Sequence, residues 1–157
     1  MGMVELKVEA VALDWKGSPL VVLREQGGQR AVYIWVGLAE ATAISMSLEG
    51  RHPPRPMTHD LLMMVLREAS AKVAQVIITD RRQDTDTADL KLTIAGSAAT
   101  LDCRPSDAIA LALRARAPIL IEDDLLDRLE EARRQAEFEA EHISGATVVD
   151  TGETTIH

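Results

Sequence analysis

The sequence predicts an α+β fold: a mixed, largely antiparallel sheet with three to four packed helices in a single compact domain. Three observations carry that prediction. Short segments alternate apolar and polar residues at period two, as half-buried strands do. Turns rich in Gly, Asp and Ser join these segments into hairpins. Segments with helical spacing follow groups of strands, without the regular strand–helix alternation of a parallel sheet.

From Val4 to Leu13, Val4, Leu6, Val8 and Ala10 alternate with Glu5, Lys7 and Glu9, which is a strand. The residues from Asp14 to Pro19 turn the chain, and Leu20-Val21-Val22-Leu23 reads as a short buried strand. Gly27-Gly28 turns it again into the strand Ala31–Val36, giving an antiparallel meander. Leu38, Ala41, Ile44, Ser45 and Leu48 recur at helical spacing, and Gly50 stands where a left-handed C-terminal glycine belongs. A second helix is expected from Thr58, acting as N-cap, to about Ser70. Val73–Thr79 and Ala88–Ile94 are strands separated by a polar turn over Asp80–Asp86, and Ala99–Asp102 closes that group. Pro105 opens a third helix and Pro118 stops it. Ile119–Ile121 is a brief strand, and a charged helix runs from Asp123 to Glu141. The expected organisation is a domain over residues 1–124, an acidic helix over 125–142 packed on it or extending from it, and a flexible tail over 143–157.

Composition narrows the classes. Hydrophobic residues make up 46% but aromatics only 3%, so the core must be aliphatic. A formal net charge of -8 argues against non-specific coating of nucleic acid, which rests on Lys and Arg neutralising phosphates. No basic leader or long apolar span is present, so neither secretion nor a membrane is expected. Cys103 is the only cysteine, which makes a reducing cytoplasm the default.

The chemistry concentrates at two helix starts. Arg51–Asp60 packs two arginines, two histidines and three prolines into one stiff loop. Arg55-Pro56-Met57-Thr58-His59-Asp60 is echoed by Arg104-Pro105-Ser106-Asp107. Each places a guanidinium and a carboxylate at the N-terminus of an apolar helix, where free N–H groups attract anions. If both starts face one cleft, Arg55 and Arg104, supported by Arg51, would hold phosphate oxygens. Asp60, Asp102 and Asp107 would ligate a divalent metal, Mg²⁺ or Mn²⁺, or activate water, and His59 would serve as general base or acid. Those parts suit phosphodiester hydrolysis. The competing reading is structural: Asp in a first helical turn complements the dipole, and Ser or Thr caps the end without chemistry. Glu40 is read as dipole complementation alone.

The chain resembles the bifunctional nuclease family. The resemblance rests on Tyr33-Ile34-Trp35-Val36-Gly37 with Glu40-Ala41, on Arg55 to Leu61, on Asp102 to Ala112, and on Pro118-Ile119, in family order over Met3 to Asp124. It implies a compact α+β domain, a homo-oligomer, and activity on both DNA and RNA. Two departures stand out. Asp86-Thr87-Ala88 replaces the aromatic pair that relatives carry before the alanine of the middle hairpin, and the additional C-terminal helical module of some relatives has no counterpart here. The leading expectation is therefore a cytoplasmic, metal-assisted nuclease. The alternative is a non-enzymatic oligomeric binding or regulatory module in which the Arg-Pro-Asp motifs are structural. A third reading is a small-anion or nucleotide binder at one helix start.

Overall fold

Two meanders are stitched together by a strand that arrives last. A computed structural model describes residues 2–82 and 85–144. β1 (Met3–Leu13), β2 (Pro19–Glu25) and β3 (Ala31–Trp35) form the first meander, and α1 (Leu38–Leu48) and α2 (Thr58–Glu68) follow it. β4 (Ala71–Arg82), β5 (Thr85–Ile94) and β6 (Ser97–Cys103) form the second, followed by α3 (Pro105–Ala115), β7 (Ile119–Glu122) and α4 (Asp123–Ser144). The result is an α+β domain with one seven-stranded sheet, in the order β3-β2-β1-β7-β4-β5-β6. β7 pairs antiparallel with β1, Val4 opposite Ile121, and parallel with β4, Val76 opposite Ile119. Every other ladder is antiparallel.

Strand alternation sets the two faces. Val21, Leu23 and Ile34 enter the core with Ile44 of α1 and Ile109 of α3, all nearly inaccessible. Leu20, Val22, Tyr33 and Trp35 point to the other face, where α4 lies across β3 and β7. The core is aliphatic, as the composition requires. Leu125 and Leu126 bury the first turn of α4. Glu130, 5% exposed, ties its middle to the sheet by accepting the Ala31 N–H at 3.1 Å. Burial pushes the Glu130 carboxyl up, but Arg133, the Ala31 N–H and Arg134 outweigh it and hold the carboxyl below its usual value.

Several boundaries differ from the sequence reading, each for a local reason. The N-cap of α2 is Met57, and Thr58 is the first helical residue. The Asp60 carboxylate accepts the Met57 N–H at 3.0 Å, satisfying the backbone at that end. The middle hairpin is longer than expected: β4 runs to Arg82 and β5 starts at Thr85, so most of the expected polar turn is strand. Thr79 faces Thr87 across the ladder, their hydroxyls 2.6 Å apart, and polar strand ends form readily where one side meets solvent. Gln83 and Asp84, at the turn, lie outside the described residues, as does most of the expected tail; α4 reaches Ser144. Gly50 adopts φ +63 as expected. No described helix is long and apolar enough to cross a membrane.

α2 buries little of its apolar run: His59 is its one buried residue. Met63 and Leu66 pack partly against the core, whereas Leu61, Leu62, Met64 and Val65 are exposed.

Candidate functional site

Three helix starts converge through one ionic chain. Arg104 is the N-cap of α3, with extended backbone, and Pro105 follows as the first helical residue, where its missing N–H costs nothing. This geometry brings the Arg104 side chain back over the first turn. Its Nε donates to Asp107 Oδ2 at 3.0 Å, and its Nη2 reaches Glu40 Oε1 in α1 at 2.8 Å. The other oxygen of Asp107, Oδ1, lies 2.9 Å from His59 Nε2 in α2. The chain Glu40–Arg104–Asp107–His59 thus joins α1, α3 and α2.

Burial divides the roles along that chain. His59 is 9% exposed, so its ring is held by packing as well as by Asp107. With Nε2 donating to the Asp107 carboxylate, a neutral ring leaves Nδ1 as its acceptor. The Arg104 side chain is 65% exposed and can turn a guanidinium edge toward an anion. Asp107 and Glu40 both hold the Arg104 proton more tightly than usual. Gly37 makes room for this end of the chain, since a Cβ there would meet the Glu40 carboxylate.

Asp60 points elsewhere. Its Oδ1 accepts from Arg114 Nε at 2.8 Å, and Arg114 also donates to the carbonyls of Ala110 (2.9 Å) and Ala43 (3.2 Å). The Arg114 hydrogen bond holds the Asp60 carboxyl below the ordinary carboxylate range. Asp102 lies on β6, exposed, opposite Asp89 of β5. Among the described residues no group of three His, Cys, Asp or Glu side chains could hold a metal ion. Arg51 pairs with Glu49 at 2.9 Å, and Arg55 is exposed on the proline loop. Cys103 is half-buried; burial first, then Asp107, Asp102 and Asp89, push its thiol up to about 11. It stays protonated near neutrality and is no nucleophile.

His59, Asp107 and Arg104, all singled out from the sequence, therefore meet at one site. Asp60 and Asp102 do not join them. Sequence reading missed one member of the chain, Glu40, and, outside it, the Arg114 partner of Asp60. Glu40 looked like simple dipole complementation, although it lies in one of the motifs that carry the family resemblance. Arg114 has no local signal: it is one more basic residue in a last helical turn.

The chain is similar to known proteins. The model of the bifunctional nuclease domain matches residues 21–133, which include every residue of the ionic chain. An uncharacterized protein of Mycobacterium tuberculosis is 36% identical over 125 residues, covering 79% of this chain and 74% of that protein. Bifunctional nuclease 2 of Oryza sativa subsp. japonica is 31% identical over 112 residues, covering 69% of this chain and 34% of that protein.

Proposed function

Because this chain belongs to the bifunctional nuclease domain family, we propose that it hydrolyses phosphodiester bonds of DNA, RNA or both at the Glu40–Arg104–Asp107–His59 chain. The supporting observation is the His59–Asp107 contact at 2.9 Å between two helix starts. Asp107 orients the imidazole and offsets the charge of the imidazolium, as a carboxylate does behind a general base. His59 Nδ1 takes the proton of an attacking water, or of a 2′-hydroxyl where the substrate is RNA, while the P–O bond to the departing sugar oxygen breaks and that oxygen takes a proton from solvent. Arg104 binds the phosphate oxygens and opposes the charge that grows on them, with Arg51 and Arg55 holding the strand beside it. Glu40 aims Arg104. A lone, protonated thiol is in keeping with a cytoplasmic setting.

Asp60, Asp102 and Asp107 do not fit a resident metal cage. Asp60 is held by Arg114 and the Met57 N–H, and Asp107 by His59 and Arg104; with Asp102 they form no group of three that could hold a metal among the described residues. Mg²⁺ or Mn²⁺ enters the proposal only as an ion arriving with the substrate phosphates. The decisive assay incubates purified protein with single-stranded DNA and RNA, with and without each metal, beside the Asp107→Ala protein. The variant is expected to lose cleavage while keeping its far-UV spectrum. Equal cleavage by both proteins would remove the site from consideration.

A second reading has its own observation. Leu61, Leu62, Met64 and Val65 form an exposed apolar face on α2. Faces of this kind on soluble domains mark interaction sites. The reading is a homo-oligomeric binding module that uses α2 to contact a second copy. Leu61→Glu is expected to turn a concentration-dependent assembly into a monomer in sedimentation equilibrium.

A further inference from the structure

Resting on the self-association reading, we propose that the surface receiving the Arg51–Met57 loop and α2 is the groove between the first meander and α4 of a second copy. The groove encloses about 600 Å³. Tyr33, Trp35 and Trp15 line it on the sheet side. Ala132, Ala136 and Ala140 line it on α4, where short side chains keep it open. Trp15 is 78% and Trp35 57% exposed, with the Lys16 ammonium 5.0 Å from the centre of the Trp15 ring.

Charge selects the occupant. Four carboxylates line the groove (Glu9, Asp14, Asp86 and Glu137) against two guanidinium groups, Arg24 and Arg133. Arg24 is neutralised by Glu9 at 2.9 Å and Arg133 by Glu137 at 2.7 Å. Among the lining residues the excess is therefore negative and sits on Asp14 and Asp86, the Lys16 ammonium over Trp15 offsetting part of it at Asp14. Asp14 also holds the Trp35 indole N–H at 3.0 Å, which fixes that ring. A negative excess disfavours a phosphate backbone and favours a cationic segment.

The same chain carries such a segment. Arg51-His52-Pro53-Pro54-Arg55-Pro56 is basic, stiffened by three prolines, and exposed except for Pro53, which is half-buried. Proline-rich segments dock in aromatic-lined grooves because their extended form is already set. The Arg51–Glu49 pair is exposed and gives way readily. Lengths agree: Arg51 to Pro56 in polyproline form spans about 16 Å, and α4 from Leu129 to Ala140 rises about 16 Å. The exposed face of α2 follows the loop directly, so docking would cover Met57 and Leu61 as well. The loop cannot reach its own groove, because α1 and α2 lie on the opposite face of the sheet from α4. The contact is thus head-to-tail between copies.

The experiment uses the full chain in sedimentation equilibrium, with tryptophan emission recorded over the same concentrations. Both tryptophans of the sequence line the groove, so emission reports its occupancy. The wild type is expected to associate with a spectral shift. Ala136→Arg, which fills the groove, and Arg51→Asp/Arg55→Asp, on an exposed loop, are each expected to weaken association about tenfold or more. Leu61→Glu mixed with Ala136→Arg is expected to form 1:1 dimers and stop there, since one partner supplies the intact groove and the other the intact loop face. Association lost in Leu61→Glu but unchanged in both other variants would overturn the groove while leaving α2 as an interface. A wild type that stays monomeric would overturn both. Association without any change in tryptophan emission would also overturn the groove.

Discussion

His59→Ala is expected to lower the rate of phosphodiester cleavage by about 10²–10⁴-fold, the usual contribution of a positioned general base. His59→Gln sharpens the result. Glutamine can still donate a hydrogen bond to Asp107 but cannot take a proton from water. If His59 only braces α2 against α3, His59→Gln should cleave nearly as fast as the wild type. If it is the base, His59→Gln and His59→Ala should be equally impaired. Asp107→Asn separates orientation from proton transfer, because an amide in place of the carboxylate no longer fixes which ring nitrogen carries the proton. It is expected to lower kcat with little change in KM, whereas Arg104→Ala, which removes a phosphate contact, should also raise KM. Single-turnover cleavage of a labelled oligonucleotide reads all four variants. A folded His59→Ala protein cutting at the wild-type rate would end the mechanism.

Arg114→Met is expected to cost about 2–4 kcal/mol of stability, the range for removing one partner of a part-buried, multiply bonded ion pair. Methionine keeps the apolar stem and removes the guanidinium. The change strips Asp60 of its ion-pair partner and leaves the Ala43 carbonyl without its Arg114 donor, so α1, α2 and α3 lose a common tie. The upper half of the range is discounted because the Asp60 side chain is 31% exposed. At about 2–4 °C per kcal/mol for a chain of this size, the remaining ~2–3 kcal/mol should move thermal unfolding down by about 4–12 °C. The pH dependence follows from the sign of the Asp60 shift. Its folded pKa is lowered by Arg114, so this stabilisation is fully present above the unfolded value of about 4 and disappears as pH falls through the lowered folded value. The gap between wild type and Arg114→Met should hold from neutrality down to about pH 5 and narrow below about pH 4. A gap independent of pH down to acid unfolding would mean that the Asp60 pair contributes nothing.

Much of the fold was legible because its signals are local. Alternation marked the strands of both meanders, and proline and glycine marked where helices begin and end. His59, Arg104 and Asp107 stood out because unusual residues cluster at helix starts. What remained hidden is non-local. Glu40 and Arg104 lie far apart in sequence, and nothing near Glu40 announces its partner. Arg114 resembles any basic residue at a helix end until its three acceptors are seen. β7 is only four residues long, and no property of Ile119–Glu122 says which two strands it will join. The run Leu61–Leu66 taught a different lesson. Its apolar pattern alone does not say whether the chain covers it, and most of it is exposed.

β7 carries a consequence for the order of assembly during synthesis. The first meander bonds to the second only through this strand, so the sheet has no centre until residue 122 has left the ribosome. Until then β1 and β4 each present an unpaired edge, and the nascent chain holds two half-sheets with sticky borders. Closing the gap joins Met3 to Glu122, nearly the full span of the domain, which makes it an expensive loop to close and a late step in folding. A ribosome that stalls before Ile119 therefore releases two incomplete sheets, each open to pairing with the wrong neighbour.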